Sequence, residues 1–426
     1  MLEKFEKLTT EVKIICGMII VLFVVSIILI VGGNNSSTKK GSKETVSLTF
    51  DEGMTDKNED ESETETENKQ EGQKAVSIDA QNEAKELMKN MSLHDKICQM
   101  FIVTPEGLTG VATATVAGDM TKAAIEKNPV GGLIYFEKNI EDRGQITDMI
   151  SGTKKYAKDY NEIPLFTCVD EEGGSVSRVA SALDDVTKLD NMFSYKDQGA
   201  DVAKTNAKNI AESISSLGFN VDFAPVADTF ADSTNEVIGD RCYSDDYNTC
   251  ANLIENAVKG FAEGDVLCTL KHFPGHGTAS GDSHDGTTTS EKTLDELKEE
   301  DLKPFAAGIK AGAPFVMVGH ITMSDIDNEV ASLSKTIITD LLKGEMGYDG
   351  IIITDALEMG AISDNYSSGE ASVKAIQAGV DMLLEPANLN DAVSGVEKAV
   401  EDGTITEDRI NESVLKILTL KSDMLE

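Results

Sequence analysis

Eight short apolar runs recur between residues 100 and 384, and polar or amphipathic segments separate them. The runs lie at 100–103, 133–136, 165–169, 221–224, 266–270, 315–318, 351–353 and 382–384. Strands that are covered on both faces of a parallel sheet produce continuous apolar runs of this kind. Amphipathic helices are predicted at 79–91, 201–217, 295–311 and 407–424. The alternation therefore predicts an α/β fold, a single (β/α)8 TIM-type barrel, with a doubly wound open sheet as the alternative.

Side chains that could perform chemistry follow five of the runs within four residues. They are Asp170 after the third run, Asp228 after the fourth, Lys271 and His272 after the fifth, His320 after the sixth and Asp355 after the seventh. Loops from several strands meet at the carboxyl end of a TIM barrel, and the active sites of such barrels form there. The sequence therefore predicts one functional site at that end.

A short segment after the fifth run concentrates three of the five histidines of the chain, His272, His276 and His284. Pro274 and Gly275 within it exclude a continuous helix, so the segment is predicted to be a loop. Asp282 precedes His284 by two residues and could orient its ring and stabilise its protonated form. His284 is therefore a candidate proton donor.

The amino-terminal part of the chain differs in composition from the barrel region. Residues 14–31 form an apolar run without charge, which predicts a transmembrane anchor after a tail at 1–13. A cleaved secretory signal and a buried core helix are the alternatives. Residues 32–76 are polar and acidic and are predicted to be a disordered linker, and 77–426 the barrel domain. This layout predicts a cell-membrane location with the barrel outside, or a secreted protein if the segment is cleaved.

Charge and cysteine content exclude other classes of protein. The formal net charge of −37 argues against nucleic-acid binding, because an acidic surface repels phosphates. The six cysteines form neither a CxxC pair nor a zinc-ribbon spacing, which predicts free thiols rather than a disulfide framework. A bridge between Cys242 and Cys250 is the alternative.

Six ordered motifs resemble the family 3 glycoside hydrolases. They lie at 170–178, 223–228, 238–241, 271–284, 318–320 and 353–359. The element Lys-His-Phe-Pro-Gly-His-Gly with its trailing Asp-Ser-His resembles the β-N-acetylhexosaminidases that act on cell-wall fragments, rather than the β-glucosidases. The resemblance extends from about residue 95 to the carboxyl terminus.

The resemblance implies a retaining exo-β-N-acetylglucosaminidase that acts on peptidoglycan-derived glycans. Asp355 matches the nucleophile that forms a covalent glycosyl-enzyme, and a retaining mechanism needs such a carboxylate at the anomeric carbon. His284 matches the acid/base group of this branch, with Asp282 as its partner. The motifs also imply sugar-binding residues, which are Asp170, Arg178, Arg241, Lys271 and His272. A monomer without metal or organic cofactor is expected.

Two departures from the family pattern leave the substrate preference open. Ser175 stands where the motif often has Arg, and Ala356 follows the nucleophile where a second Asp is common. The chain also has no tryptophan on which a sugar could stack.

Other functions remain as alternatives. On the same fold, the chain could be an N-acetylglucosaminide phosphorylase or a β-glucosidase. A metal-dependent hydrolase would use His272, His276, His284 and Asp170 as ligands, although Pro274 and Gly275 prevent the helical His-x-x-x-His geometry. An inactive, membrane-anchored glycan-binding protein would bind the sugar without turnover.

Overall fold

The computed structural model describes residues 77–231, 235, 237–277, 279 and 288–424. Eight strands form one sheet: β1 (Phe101–Val103), β2 (Gly132–Ile134), β3 (Phe166–Val169), β6 (Val221–Asp222), β7 (Leu267–Phe273), β9 (Phe315–Val318), β11 (Ile351–Thr354) and β12 (Leu383–Leu384). Four shorter strands lie outside it: β4 (Glu171–Gly173), β5 (Val176–Ser177), β8 (Thr288–Ser290) and β10 (Ile321–Met323). Each predicted apolar run overlaps one strand of the large sheet.

The eight strands follow one another around the sheet in chain order, and all seven neighbouring pairs are parallel. A bridge between Ile353 and Met382 joins the last two strands, and the N–H of Thr354 donates to the carbonyl of Met382 at 3.1 Å. These contacts connect the two edges of the sheet. The predicted α/β TIM-type barrel is confirmed, and the open sheet is excluded.

Fourteen α-helices lie outside the sheet of the barrel in the described part of the chain. They are α1 (Ile78–Lys89), α2 (Leu93–Gln99), α3 (Pro105–Thr109), α4 (Asp119–Lys127), α5 (Arg143–Asn161), α6 (Arg178–Ala182), α7 (Ala200–Ser215), α8 (Tyr247–Glu263), α9 (Leu294–Glu299), α10 (Leu302–Lys310), α11 (Gly360–Ser363), α12 (Ser368–Ala378), α13 (Leu389–Glu401) and α14 (Glu407–Met424). A π-helix covers Thr336–Glu345. In α8, Ile254, Ala257 and Phe261 are buried at a spacing of three to four residues, which gives the helix one apolar face.

The predicted helix at 295–311 is two helices, α9 and α10. The helical conformation is interrupted at Glu300, whose φ of −128° and ψ of −92° are not helical. The next residue, Asp301, is 2 % exposed and pairs with Lys292. The spacing of apolar residues gives no information about a buried ion pair of this kind. The apolar pattern at 295–311 therefore predicted one continuous helix.

The amino-terminal end of the barrel is closed by a buried lysine on α14. Lys421 is 1 % exposed, and its Nζ donates to Gln99 Oε1 and to the carbonyl of Gly131, both at 2.8 Å. The same Nζ lies 4.8 Å from the centroid of the Phe166 ring. The amino ends of β1, β2 and β3 are thus tied to the last helix, away from the predicted site.

The predicted cell-membrane location is corrected by the structure. Within the described part of the chain, no helix is both long enough and apolar enough to cross a bilayer. The longest, α5, has 19 residues but six charged side chains, whereas a spanning helix needs about 20 mainly apolar residues. The predicted tail at 1–13, anchor at 14–31 and linker at 32–76 lie outside the described residues. No membrane attachment is assigned.

The predicted free thiols are confirmed for the cysteines that the structure describes. Cys98, Cys168, Cys242, Cys250 and Cys268 are all buried and unbridged. The alternative bridge between Cys242 and Cys250 is therefore wrong. Cys16 lies outside the described residues.

Candidate active site

The carboxyl ends of four barrel strands bring the predicted residues to one end of the barrel. Asp170 follows β3, and Asp355 follows β11. Lys271 and His272 lie within the last three residues of β7. His320 follows β9, which lies between the last two. The peptide bond between Lys271 and His272 is cis.

Lys271 lies between two carboxylates. Its Nζ is 2.7 Å from Asp170 Oδ1 and 2.6 Å from Glu172 Oε1, and its side chain is 3 % exposed. Burial alone would lower the pKa of Lys271, but the charges of Asp170 and Glu172 raise it above its ordinary value. The lysine is therefore a fixed cation in the site.

A glycine turn delivers Glu172 to this lysine. Strands β4 and β5 form an antiparallel hairpin, and Gly173 and Gly174 at its turn have φ of +92° and +60°. This left-handed backbone is open to glycine at little cost. Arg241 binds Glu172 through Nε to Oε2 and Nη2 to Oε1, both at 2.8 Å. Against the effect of burial, Arg241 and Lys271 lower the pKa of Glu172 far below its ordinary value.

Asp228 organises the histidine segment. Its Oδ2 accepts hydrogen bonds from the backbone N–H of His272 at 3.0 Å and from Nδ1 of the same residue at 2.7 Å. Its Oδ1 accepts from the N–H of His276 at 2.6 Å. Burial opposes ionisation, but the imidazole of His272 and the contacts with His276 lower the pKa of Asp228. Because a carboxylate only accepts, Nδ1 of His272 has the proton.

Asp355 is ionised although it is partly buried. Burial would raise the pKa of Asp355, but the imidazoles of His272 and His320 lower it. The N–H of Ala356, which donates to Asp355 Oδ1 at 2.8 Å, and the charge of Lys271 also lower this pKa. The result is a half-buried carboxylate with a pKa below its ordinary value.

His320 supports the segment that contains Asp355. Its Nε2 lies 2.9 Å from the carbonyl of Ala356, and its Nδ1 lies 2.8 Å from Ser332 Oγ. Since a carbonyl only accepts, Nε2 donates the first hydrogen bond. The imidazole ring therefore connects the loops that follow β9 and β11 by hydrogen bonds. The sequence predicted the position of His320 at a strand end but no role for it.

Arg178 lies apart from the charged network among the described contacts. Its guanidinium is 5.5 Å from the centroid of the Phe136 ring, and its buried Nε has no hydrogen-bond partner within the described residues. The predicted sugar-binding set thus contains one arginine held by Glu172, Arg241, and one with an unused donor, Arg178.

The loop that should contain the acid/base pair is only partly described. Asp282 and His284 lie outside the described residues, as do residues 278 and 280–287. The described beginning of the loop is closely packed: a Cβ on Gly277 would lie 1.9 Å from the carbonyl oxygen of Thr229. His276 is 2 % exposed, and neither ring nitrogen has a hydrogen-bond partner among described residues.

For three carboxylates at this end of the barrel, the sequence predicts no role in the site. Glu172 stands in the quoted 170–178 motif, and Asp228 was noted only as a strand-end residue. Glu385 directly follows β12, so the same strand-end rule could have indicated it. In the part of the chain that the structure describes, no group of three or more His, Cys, Asp or Glu residues could hold a metal ion. His284, which the metal hypothesis also needs, is outside that part.

Residues 92–420 match the glycosyl hydrolase family 3 N terminal domain. The chain belongs to glycosyl hydrolase family 3. The predicted family 3 glycoside hydrolase is thereby confirmed, and its similarity to β-N-acetylhexosaminidases is supported by two kinds of relative.

The first kind is sequence relatives. This family 3 chain is 31 % identical over 345 residues to beta-hexosaminidase A of Pseudoalteromonas piscicida, which covers 75 % of the chain and 58 % of the relative. It is 33 % identical over 282 residues to a beta-hexosaminidase of Stenotrophomonas maltophilia, covering 64 % of the chain and 82 % of the relative.

The second kind is a solved structure. A glycoside hydrolase family 3 beta-N-acetylglucosaminidase from Paenibacillus sp. strain FPU-7 superposes with a TM-score of 0.74 at 34 % identity. The match covers 78 % of this chain and 63 % of the Paenibacillus protein. The chain thus spans less than two thirds of the length of this protein and of the Pseudoalteromonas relative.

Proposed function

We propose that the protein is a retaining exo-β-N-acetylglucosaminidase, which removes terminal β-linked N-acetylhexosamine from peptidoglycan-derived glycans. The main support is Asp355, a half-buried carboxylate at the carboxyl end of β11 whose pKa is lowered by its neighbours. A retaining glycosidase needs an ionised carboxylate to attack the anomeric carbon. The names of the hexosaminidase relatives support the choice of sugar.

In the first half of the reaction, Asp355 attacks C1 of the terminal sugar. His284 donates its proton to the glycosidic oxygen, so that the aglycone leaves as a neutral alcohol. Asp282 orients the imidazole and stabilises its charged form. In the second half, His284 takes a proton from water, the water attacks C1, and the sugar is released with Asp355 regenerated.

The sugar-binding roles follow from the hydrogen-bonding capacity of each side chain. Asp170 uses Oδ1 for Lys271, and its side chain is 17 % exposed, so Oδ2 is proposed to accept from a sugar hydroxyl. Lys271 and Arg178 are proposed to donate to the sugar, and His272 is proposed to hydrogen-bond it through Nε2. Arg241 is proposed to act mainly through Glu172, because two of its donors are used there.

Hydrolysis and phosphorolysis are distinguished by the acceptor that attacks the glycosyl-enzyme. A histidine acid/base does not repel phosphate as a carboxylate would, which keeps a phosphorylase as the alternative on the same site. A β-glucosidase would differ in the sugar accepted. Both alternatives leave Asp355 as the nucleophile, so one assay series separates them.

The test is turnover of 4-nitrophenyl N-acetyl-β-D-glucosaminide and of N-acetylglucosaminyl-anhydromuramyl fragments by the full chain, with and without phosphate. We expect N-acetylglucosamine to form first as the β-anomer, observed by NMR. Asp355→Asn should lose at least about 1000-fold in kcat, whereas the exposed Asp159→Asn should retain activity. Sugar 1-phosphate formed only with phosphate would establish the phosphorylase, and equal activity of Asp355→Asn would refute the assignment.

A further inference from the structure

Glu385 occupies a position at the barrel mouth that is unusual for a charged residue. It directly follows β12 and is 7 % exposed. Its N–H donates to the carbonyl of Ile102 at 2.8 Å, and its carbonyl accepts from the N–H of Glu358 at 2.9 Å. These backbone bonds fix the residue between the carboxyl ends of β1 and β11.

The backbone of Glu385 is in the left-handed region, with φ of +42°, although the residue is not glycine. Such conformations cost free energy and cluster at functional sites. The following residue is Pro386, which further restricts the preceding backbone. The fold therefore holds this side chain in a direction that an ordinary strand end would not give it.

The carboxyl group of Glu385 has no hydrogen bond or ion pair with any residue that the structure describes. A largely buried polar group is ordinarily paired, so a carboxyl group without a protein partner at the barrel mouth is available to a ligand. The charges that act on it come from three strand ends: Asp170 after β3, Asp355 and Glu358 after β11, and the cation Lys138 after β2. The unused group thus interacts electrostatically with the proposed nucleophile and with the proposed sugar ligand, at the same end of the barrel.

We propose that Glu385 is a substrate-binding residue whose carboxyl group hydrogen-bonds a hydroxyl of the terminal sugar, next to Asp170. This inference rests on the proposed function, since it adds a contact to that sugar site. Burial, together with the charges of Glu358, Asp170 and Asp355, raises the pKa of Glu385 to about 8, while Lys138 opposes the shift. At neutral pH the group is a neutral acid that can both donate and accept.

The protonation state sets how this contact depends on pH. Above pH 8 the group loses its donor and adds a negative charge beside two carboxylates that already contact the sugar. Sugar binding should weaken there for that reason. Glutamine keeps the size and a donor but cannot ionise, so Glu385→Gln should bind equally well at pH 7 and pH 9.

The decisive measurement is the affinity of the full chain for free N-acetylglucosamine, by calorimetry at pH 7 and pH 9. Binding of this product does not require the proton of His284. Titration of the acid/base group is therefore not expected to change the measured Kd. We expect the wild-type Kd to rise between the two pH values and the Glu385→Gln Kd to stay constant. Glu385→Leu should bind about 10-fold more weakly at pH 7, as for one lost hydrogen bond.

Glu358→Gln provides a matched control, because it should lower the pKa of Glu385 without removing the Glu385 carboxyl group. Removing that exposed charge lowers the repulsion on Glu385, so the loss of affinity should begin at a lower pH. Thermal unfolding of each variant checks folding, and the nearly isosteric glutamine variant keeps the test valid if the leucine variant unfolds. Wild-type affinity in Glu385→Leu, or the same pH dependence in Glu385→Gln, would overturn the inference. Sugar binding that depends on Glu385 without any glycoside turnover would instead overturn the proposed function alone.

Discussion

Glu172 and Arg241 are joined by two hydrogen bonds of 2.8 Å each, and their side chains are only 2 % and 16 % exposed. Glu172 also lies 2.6 Å from Lys271, which pairs on its other side with Asp170. Two cations and two anions therefore balance each other in a largely buried cluster. Each member depends on the others for compensation of its charge.

Replacing Glu172 by Gln should destabilise the protein. The variant leaves Lys271 and Arg241 with one carboxylate between them, and breaking a buried pair from one side costs about 3–5 kcal/mol. Urea unfolding at pH 7 measures this difference, with the exposed Glu137→Gln as control. A loss below about 1 kcal/mol, the size of a surface pair, would contradict the prediction.

The two arginines of the predicted sugar-binding set should respond differently to substitution. Arg241→Ala removes the partner of Glu172 and should destabilise the fold by about 3 kcal/mol or more. Arg178→Ala removes a contact with the Phe136 ring, a loss of about 1 kcal/mol, but also the unused Nε donor. We expect Arg178→Ala to raise KM while the unfolding free energy falls by only about 1 kcal/mol. Parallel thermal unfolding and glycosidase kinetics would detect a reversal of these roles.

Much of the fold could be predicted because buried parallel strands leave a strong local pattern. The run at 315–318 became β9 with the same bounds, and 407–424 became α14. The break at Glu300 was missed because the apolar periodicity continues through it, whereas the adjacent ion pair of Asp301 with Lys292 has no periodic pattern.

The site was predictable where a residue follows a strand directly, as Asp170 and Asp355 do. Glu172 was missed because its partners, Arg241 and Lys271, are far away in the chain, and no local pattern shows the pairing. Glu385 did have a signal, since it ends the eighth run, but an apolar run followed by a single acid is a weak pattern alone.

Asp228→Asn should reduce stability in a way that depends on pH. The pKa of Asp228 is lowered in the folded state, mainly by His272 against the effect of burial. Its stabilisation is therefore present above the unfolded pKa of about 3.9 and is lost as the pH falls through the folded pKa. The difference in unfolding free energy between wild type and variant should be larger at pH 7 than at pH 3. A constant difference across this range would show that the carboxylate charge is not what holds His272.

Lys421 should give the opposite end of the barrel a pH dependence in the alkaline range. Burial lowers the pKa of Lys421 to about 7, with a weak opposing effect of Cys168. A neutral amine has two N–H donors, which match its two acceptors, Gln99 Oε1 and the carbonyl of Gly131.

The sign of the effect follows from proton binding. Between pH 7 and about 10.4, the unfolded chain holds a proton on Lys421 that the folded chain lacks, so stability rises with pH. The slope approaches about 1.4 kcal/mol per pH unit. Lys421→Met removes this dependence, although it leaves two acceptors unpaired. Relative to the variant, wild type should therefore gain about 2 kcal/mol in unfolding free energy between pH 7 and pH 9, measured by urea titration. Parallel stability curves for the two proteins would mean that Lys421 stays charged inside the barrel, with the Phe166 ring and the two oxygens solvating it.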